Sequence, residues 1–404
     1  MTVALKVGCL KEISFLTLSH NSIHMFFRDL IISTNINTWV VAGVLLLSLL
    51  IQLIYYLGVF GKMLRYKSPS QKKYNIDISV VICARNEAEN LEKHLPAFLT
   101  QDYKNYEVVV VNDCSTDNSE EVLMDMKVKF PNLRYTSIPL DRKFSHGKKL
   151  AMTVGIKSAK NDCLLFSDAD CYPVSDQWVS IMSKYFKKKT DLVLGIGKYE
   201  RRKGLLNILI RYETLFTAIQ YISFAIAGKP YMGVGRNLAY RKELFFKNKG
   251  FASHLKLLSG DDDLFVNETA TKSNTTVCIE PNSFTLTIPP AGFRSWILQK
   301  RRHLTTGKYY SRSSKWRLAG EYFSRIFFYI GFVVLLFDDN WKWISLGAYV
   351  LLATIKAIHF KMAMRRLNER DLFLPSLLFD PLMPLILGAI SVVNLFSPRE
   401  PKWN

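Results

Sequence analysis

Cysteine is scarce in this chain and badly spaced for chemistry. The six thiols fall at positions 9, 83, 114, 163, 171 and 278, with no C-x-x-C pair and no ligand spacing to the seven histidines. That excludes a disulfide scaffold and a thiolate metal knuckle, and leaves buried, reduced thiols as the default. Glycine-rich phosphate cradles are missing too. No G-x-G-x-x-G follows the first strand-like run and no G-x-x-x-x-G-K-[ST] occurs, which excludes dinucleotide redox chemistry and P-loop ATP hydrolysis. Acid is short against base: 34 Asp and Glu face 54 Lys and Arg, a formal net charge of +20. The cations gather beside apolar stretches instead of spacing aromatics along a groove, so no nucleic acid partner is expected. Anionic lipid head groups and an anionic substrate account for the excess better.

Long apolar runs are what the chain has in plenty. Residues 39–60 read WVVAGVLLLSLLIQLIYYLGVF without a charge, the length needed to cross the hydrocarbon layer. Lys62, Arg65, Lys67, Lys72 and Lys73 follow at once, which puts the downstream region on the cytoplasmic side of an inner (plasma) membrane. The run is too long and too far from Met1 for a cleaved signal peptide. Near the other end, 319–337 and 341–360 form a hairpin about the acidic turn Asp338-Asp339-Asn340. Arg325 and Lys356 are expected to snorkel to the cytoplasmic interface. A last apolar segment, 372–396, carries Asp380, Pro381 and Pro384, and reads either as a kinked fourth crossing or as a re-entrant element. The division expected is an N-terminal extension at 1–37, a transmembrane helix at 38–60, a cytoplasmic domain at 61–318, and the C-terminal membrane segments. Residues 1–36 are weakly patterned, and native initiation at Met1 or Met25 stays open.

Between the membrane blocks, strand and helix alternate. Ile78-Ser79-Val80-Val81-Ile82 is a β-branched run, and a helix follows to Leu99 with Asn86 as its cap and Glu89 three residues on. Four consecutive valines end the second strand before Asn112-Asp113, a continuous apolar run of the kind buried on both faces in parallel sheets. Further helices are read at 119–130 and 147–159, with strands at 133–138 and 163–166. The predicted class is α/β, a doubly wound, mostly parallel, Rossmann-like sheet, whose ligands bind beyond the carboxyl ends of the strands. Those ends carry Ala84-Arg85-Asn86-Glu87, Asn112-Asp113 and Asp168-Ala169-Asp170. An extended backbone sends alternate side chains the same way, so Asp168 and Asp170 can share a divalent cation; an acidic turn is the plainer alternative. The segment 205–227 is apolar but contains Arg211 and Glu213. A crossing there would split Asp168 from Asp261, so it reads as an amphipathic helix near the acceptor, touching lipid.

A resemblance becomes specific when the motifs are taken in order. A-R-N-E, then V-V-V-V-N-D-C-S-T-D, G-K-K, S-D-A-D, Gly233-Val234-Gly235-Arg236-Asn237, Gly260-Asp261-Asp262-Asp263 and Gln299-Lys300-Arg301-Arg302-His303 together resemble the family 2 glycosyltransferases with the GT-A fold, here with N-terminal and C-terminal transmembrane helices. The resemblance implies a nucleotide diphosphate sugar donor, a UDP-sugar by expectation, and a Mg2+ or Mn2+ cofactor. It implies that Asp113 takes the base, that Ala84 and Glu87 line the base and ribose pocket, and that Asp170 holds the metal. Asp168 would contact ribose and the metal through water. Lys148 is a donor-site cation or a surface lysine opening a helix. Asp261 would deprotonate the acceptor with inversion, Asp262 being the alternate register, because Gly260 stands where the family has Glu. Gln299 and Arg302 would serve the diphosphate, while Gly235, Arg236, Asn237 and His303 lie on the acceptor side. His303 replaces the family's Trp, which weakens processive polysaccharide synthesis as the alternative. Most other cations from Arg294 to Arg317 read as a basic interfacial helix with Trp296 and Trp316. The partners expected are the donor, a lipid-linked or glycan acceptor and membrane lipids. The readings from other classes are a non-catalytic membrane scaffold and a nucleotidyltransferase.

Overall fold

Apolar runs become helices or buried strands according to their length. The computed structural model describes residues 35–68, 76–140, 147–257 and 259–396; the Met1 or Met25 question and most of the 1–37 extension lie outside the described residues. The chain starts with helix α1 (Ile36–Leu53), which continues through a wider turn at Ile54–Phe60 into a last turn at Gly61–Arg65. Then come β1 (Ile78–Ala84), α2 (Ala88–Leu99), β2 (Tyr106–Asp113), α3 (Ser119–Lys129), β3 (Leu133–Ile138), α4 (Lys148–Ser158), β4 (Cys163–Asp168), β5 (Cys171–Pro173), α5 (Trp178–Ser183), β6 (Leu192–Leu194), β7 (Gly197–Tyr199) and α6 (Leu205–Ile226). After these follow β8 (Leu238–Arg241), α7 (Lys242–Lys247), α8 (Asp263–Thr269), β9 (Thr275–Val277), β10 (Thr285–Thr287), α9 (Phe293–Leu304), α10 (Arg312–Leu335), α11 (Lys342–Arg366) and α12 (Phe373–Phe396).

The strands form an α/β sheet in the order β3-β2-β1-β4-β8-β6-β9. β3, β2, β1 and β4 run parallel, while β8 runs antiparallel to both β4 and β6. Every residue of β1 is buried, and Val108 to Val111 of β2 are at most 1% exposed, as strands covered on both faces must be. Register brings the strand ends level. Ala84 lies opposite Asn112, and Cys83 opposite Asp168, so the polar residues that follow all open into one crevice above β1 and β4, where the strand order reverses. A small sheet, β5-β10-β7, closes the side of that crevice.

The start of α2 departs from the sequence reading. Asn86 has a left-handed φ of 53° and does not cap the helix; its side chain accepts from the Thr116 amide at 2.8 Å. The free amides at the helix start are met from the segment after β2 instead, Ala88 by Asp117 at 3.0 Å and Glu87 by the Ser119 hydroxyl at 3.0 Å. A loop 30 residues away outcompetes the local cap because it satisfies several donors at once.

Four described helices are long and apolar enough to cross a membrane: Ile36–Arg65, Arg312–Leu335, Lys342–Arg366 and Arg370–Phe396. α1 and α10 pack antiparallel, with Thr38 near Asp338 at one end and the Tyr55 hydroxyl donating to the Arg317 carbonyl at the other. Arg325 and Lys356 do not snorkel. Both are buried, Arg325 paired with Glu321 at 3.1 Å and Asp380 at 3.4 Å, and Lys356 paired with Asp380 at 2.7 Å. A lone cation in an apolar interior costs several kcal/mol, and an opposite charge from a neighbouring helix removes most of the reason to reach for water. α12 is one continuous helix, Phe373–Phe396, with Pro381 and Pro384 inside it.

Two further expectations change. α6 is no interfacial helix: most of it is buried, Arg211 being paired with Glu369 and Asp371, and Glu213 with Lys300. Trp296 and Lys300 are likewise buried, whereas Trp316 is exposed. One apolar cluster runs from Tyr56 and Phe60 of the α1 segment through Phe216 and Phe224 of α6 to Phe166 of β4, and includes Phe360 and Phe379.

Candidate active site

β4 ends at Asp168, and Ala169 and Asp170 form a turn before β5. The two carboxylates therefore converge through a turn, not through strand alternation. Ligand atoms of Asp168, Asp170 and Cys171 all lie within 4.8 Å of one another. Asp170 is steadied by the Thr287 hydroxyl at 3.1 Å and the Cys171 thiol at 3.2 Å. Burial, and then the neighbouring Asp168, push its carboxyl above the usual range. Burial would do the same to Asp168, but Lys148, helped by Arg236 and Arg302, outweighs it and holds that carboxylate low. Two close carboxyls, one raised by the other, make a site that a divalent cation relieves, and hard oxygen donors suit Mg2+ or Mn2+.

The adjacent lysines of G-K-K divide the work. Lys148 reaches into the crevice, its Nζ lying 2.7 Å from Asp168 and 3.1 Å from Asp261. Burial would lower its pKa, but Asp168, Asp261 and Asp262 together keep the ammonium well above its ordinary value. Lys149 is buried and donates to the carbonyls of His254, Leu257 and Ser259. It thus clamps the loop that delivers Gly260 to Asp263, and each lysine fixes one side of the same gap.

Gly260 has φ +102°, and a Cβ there would meet Leu264 Cδ1 at 2.5 Å. This is why glycine stands at the position that resembles the family's Glu: only glycine takes that turn freely. Asp261 then enters the crevice, while Asp262 caps α8. Both Asp262 oxygens accept backbone amides, Gly235 N and Asp263 N, each at 2.7 Å. Burial, followed by repulsion from Asp261 and Asp263, pushes the Asp262 carboxyl up to about 7. Asp263 turns away, accepting from the Thr306 and Tyr310 hydroxyls.

Arg236 stacks on the Tyr199 ring, its guanidinium carbon 4.6 Å from the centroid, and the Tyr199 hydroxyl donates to Gln299 at 3.2 Å. Arg302 and His303 complete this wall of α9. His303 opens to the crevice, and its confinement there, with Lys300, Arg302, Arg236 and Lys148 around it, holds the imidazole neutral. On the opposite side, burial raises Glu87, which also feels Asp170 and Asp168. Asp113 is buried at the end of β2, and Ala84 ends β1 with its methyl buried. The structure thus gathers Asp168, Asp170, Lys148, Asp261, Asp262, Gly235, Arg236, Gln299, Arg302 and His303 around one gap, with Ala84, Glu87 and Asp113 beside it.

Asn237 is the exception. It is fully buried, its amide donating to Ile196 and Ser283 carbonyls and accepting from Trp178 Nε1 at 3.1 Å. Nothing of it is left for an acceptor. Tyr199 and Thr287, which steady Gln299 and Asp170, were not singled out from the sequence; each lies about 100 residues or more from its partner, so no local spacing marks it.

Known proteins resemble this chain in fold and over part of its sequence. Residues 79–247 match the family model for glycosyl transferase family 2; Asp261 to Asp263 and α9 lie beyond that match. A poly-beta-1,6-N-acetyl-D-glucosamine synthase of Staphylococcus epidermidis is 28% identical over 175 residues, 41% of this chain and 40% of that relative. Glycosyltransferase AglE of Haloferax volcanii is 35% identical over 104 residues, 25% of this chain and 33% of that one. The match thus spans well under half the length of these curated relatives. Among solved structures, a mannosyltransferase from Pyrobaculum calidifontis, in complex with GDP-Man and Mn2+, superposes with a TM-score of 0.54 at 17% identity, over 85% of this chain and 98% of that one. The ordered strand ends, the fold and the family match thus point the same way: residues 79–247 match glycosyl transferase family 2, and the fold that holds them is of the GT-A type.

Proposed function

We propose that this chain is an inverting glycosyltransferase that moves a sugar from a nucleotide diphosphate sugar, with UDP-sugars as the first candidates, to a lipid-linked or glycan acceptor at the cytoplasmic membrane face. The observation that carries the reading is the Lys148 bridge. One ammonium touches both the D-x-D carboxylate Asp168 and Asp261, so donor handle and acceptor base lie across a gap about one reacting centre wide. Lys62 and Arg65 at the end of the first candidate span, and Arg365 and Arg366 at the end of α11, support a cytoplasmic domain.

Asp113, Glu87 and the end of β1 would seat the nucleoside. Asp170 and Asp168 would hold Mg2+ or Mn2+, which when bound supplies Lewis-acid neutralisation of the diphosphate. Lys148, Arg236 and Arg302 add fixed positive charge where the leaving group gathers negative charge. The diphosphate competes with Asp261 for Lys148, which frees the Asp261 carboxylate. Asp261 then takes the acceptor hydroxyl proton as that oxygen bonds to the anomeric carbon. The glycosidic C–O bond breaks on the opposite face, and its electron pair leaves with the nucleoside diphosphate. Asp262, with both oxygens on backbone amides, holds the Gly235 loop against this centre.

A donor panel on membranes containing the full chain, read by nucleoside diphosphate release, tests the proposal. UDP-sugar turnover in the presence of cell lipids is expected. Turnover with GDP-sugars alone would correct the base, pyrophosphate release from a nucleoside triphosphate would favour a nucleotidyltransferase, and no turnover with any donor would favour the scaffold.

A further inference from the structure

α12 touches the rest of the molecule in an order that decides where it goes. Just before it, Glu369 and Asp371 pair with Lys198, Arg201 and Arg211 of the catalytic domain. Asp380 then reaches Tyr329 and Arg325 of α10 and Lys356 of α11. One turn on, the Pro384 carbonyl accepts from the Tyr322 hydroxyl at 2.7 Å, and Gly388 lies so near that hydroxyl that a Cβ would meet it at 2.6 Å. Finally Asn394 exchanges two hydrogen bonds with Arg301 of α9, accepting from Nε at 2.6 Å and donating to the carbonyl at 3.0 Å.

From Asp380 onward the partners are therefore Tyr329, Arg325, Tyr322 and Arg301. They walk back along α10 towards the catalytic domain, whereas the partners of a crossing helix would walk away from it. Fourteen helical residues cover ~21 Å, enough to carry Asn394 towards the level of Asp338 if α12 kept its course. It lies instead beside the helix that holds Gln299 and Arg302.

We propose that α12 does not cross the membrane: it is sunk in the single leaflet next to the catalytic domain, with both ends on that side, so that the described chain crosses three times. The occupant of its outer face is the acyl layer of that leaflet. Leu374, Leu377, Leu378, Leu385, Val392 and Leu395 are exposed there, while Phe379, Met383 and Ile390 on the other face are buried. The helix's one charge, Asp380, is buried against Lys356, and the exposed Ser391 hydroxyl donates to the Leu387 carbonyl at 2.8 Å, so no charge and no unmet hydroxyl lies on the exposed face. Through the Asn394–Arg301 pair, α9 is tied to an element embedded in lipid.

Two measurements on the full chain test this. In sealed vesicles with the catalytic domain outside, an epitope at the C-terminus should be removed by protease along with the domain, and one inserted in the 338–340 turn should survive until detergent is added. A C-terminal epitope protected like the turn would overturn the proposal. Nitroxide labels at Leu374→Cys, Leu385→Cys and Leu395→Cys should all report depths within one leaflet, judged by oxygen against water-soluble relaxant. Leu374 and Leu395 at opposite head-group layers would overturn it independently.

Discussion

Asp261→Asn separates chemistry from architecture at one atom. The substitution keeps the shape of a residue that is 7% exposed, and it leaves Lys148 bonded to Asp168 at 2.7 Å. What it removes is the proposed proton acceptor, and general-base catalysis is worth about 10²–10⁴ in rate. That corresponds to about 3–5 kcal/mol of transition-state stabilisation. It also removes one of the two carboxylates that hold Lys148, leaving the ammonium freer for the diphosphate. The expected signature is therefore split: kcat falls at least a hundredfold, while KM for the donor stays the same or falls. Steady-state release of nucleoside diphosphate, with unfolding of the detergent-solubilised variant as a folding control, reads both. A folded variant with kcat within about fivefold of wild type would refute the assignment of the base. A rise in donor KM with kcat intact would show that Asp261 only binds.

Chelation should abolish turnover and Mg2+ or Mn2+ should restore it, whereas Asp170→Ala should leave turnover low at every metal concentration; full rescue of that variant would remove Asp170 from the metal site. Because Asp262 is protonated below about 7 and charged above it, its hold on the Gly235 amide strengthens as pH rises. Wild-type kcat/KM should therefore climb through pH 7, and Asp262→Asn should lose that limb. The stability sign is opposite: a carboxyl raised by burial favours the folded state while protonated, so wild-type stability relative to Asp262→Asn should fall between the ordinary carboxylate range and pH 7. Asp380→Leu leaves Lys356 buried without its counter-charge and should cost about 3–5 kcal/mol, seen as a lower unfolding temperature in detergent. Adding Lys356→Met should recover most of that loss.

The strand ends were legible because their signal is local. Val108 to Val111 announce a buried parallel strand, and the carboxylates that follow each such run must emerge at one edge once register is set by burial. The four candidate spans were legible by length and composition, but length does not tell a crossing from a helix sunk in one leaflet. Illegible were the pairings made across the fold. Nothing beside Arg325 or Lys356 in sequence says that Asp380 will meet both, so water looked like their natural partner. Asn86 was read as a helix cap because the competing Thr116 lies 30 residues away. Asn237 looked like a site residue because its motif neighbours are, yet an amide that satisfies three buried partners serves packing. Lys148 and Lys149 could not be told apart by type; the three carbonyls that claim Lys149 come together only when His254, Leu257 and Ser259 fold back over it.

The apolar cluster shared by α1, α6, β4, α11 and α12 has a bearing on how the protein can be handled. Cutting the chain after residue 318 to obtain a water-soluble fragment would strip Phe360 and Phe379 from Tyr212 and Glu369 from Arg211, leaving an aromatic face and a buried cation open to solvent. Such a fragment is expected to aggregate, and preparations should retain the whole chain in detergent or nanodiscs. Because the same cluster reaches Phe166, two residues before Asp168, the choice of amphiphile becomes a variable in any assay of the enzyme.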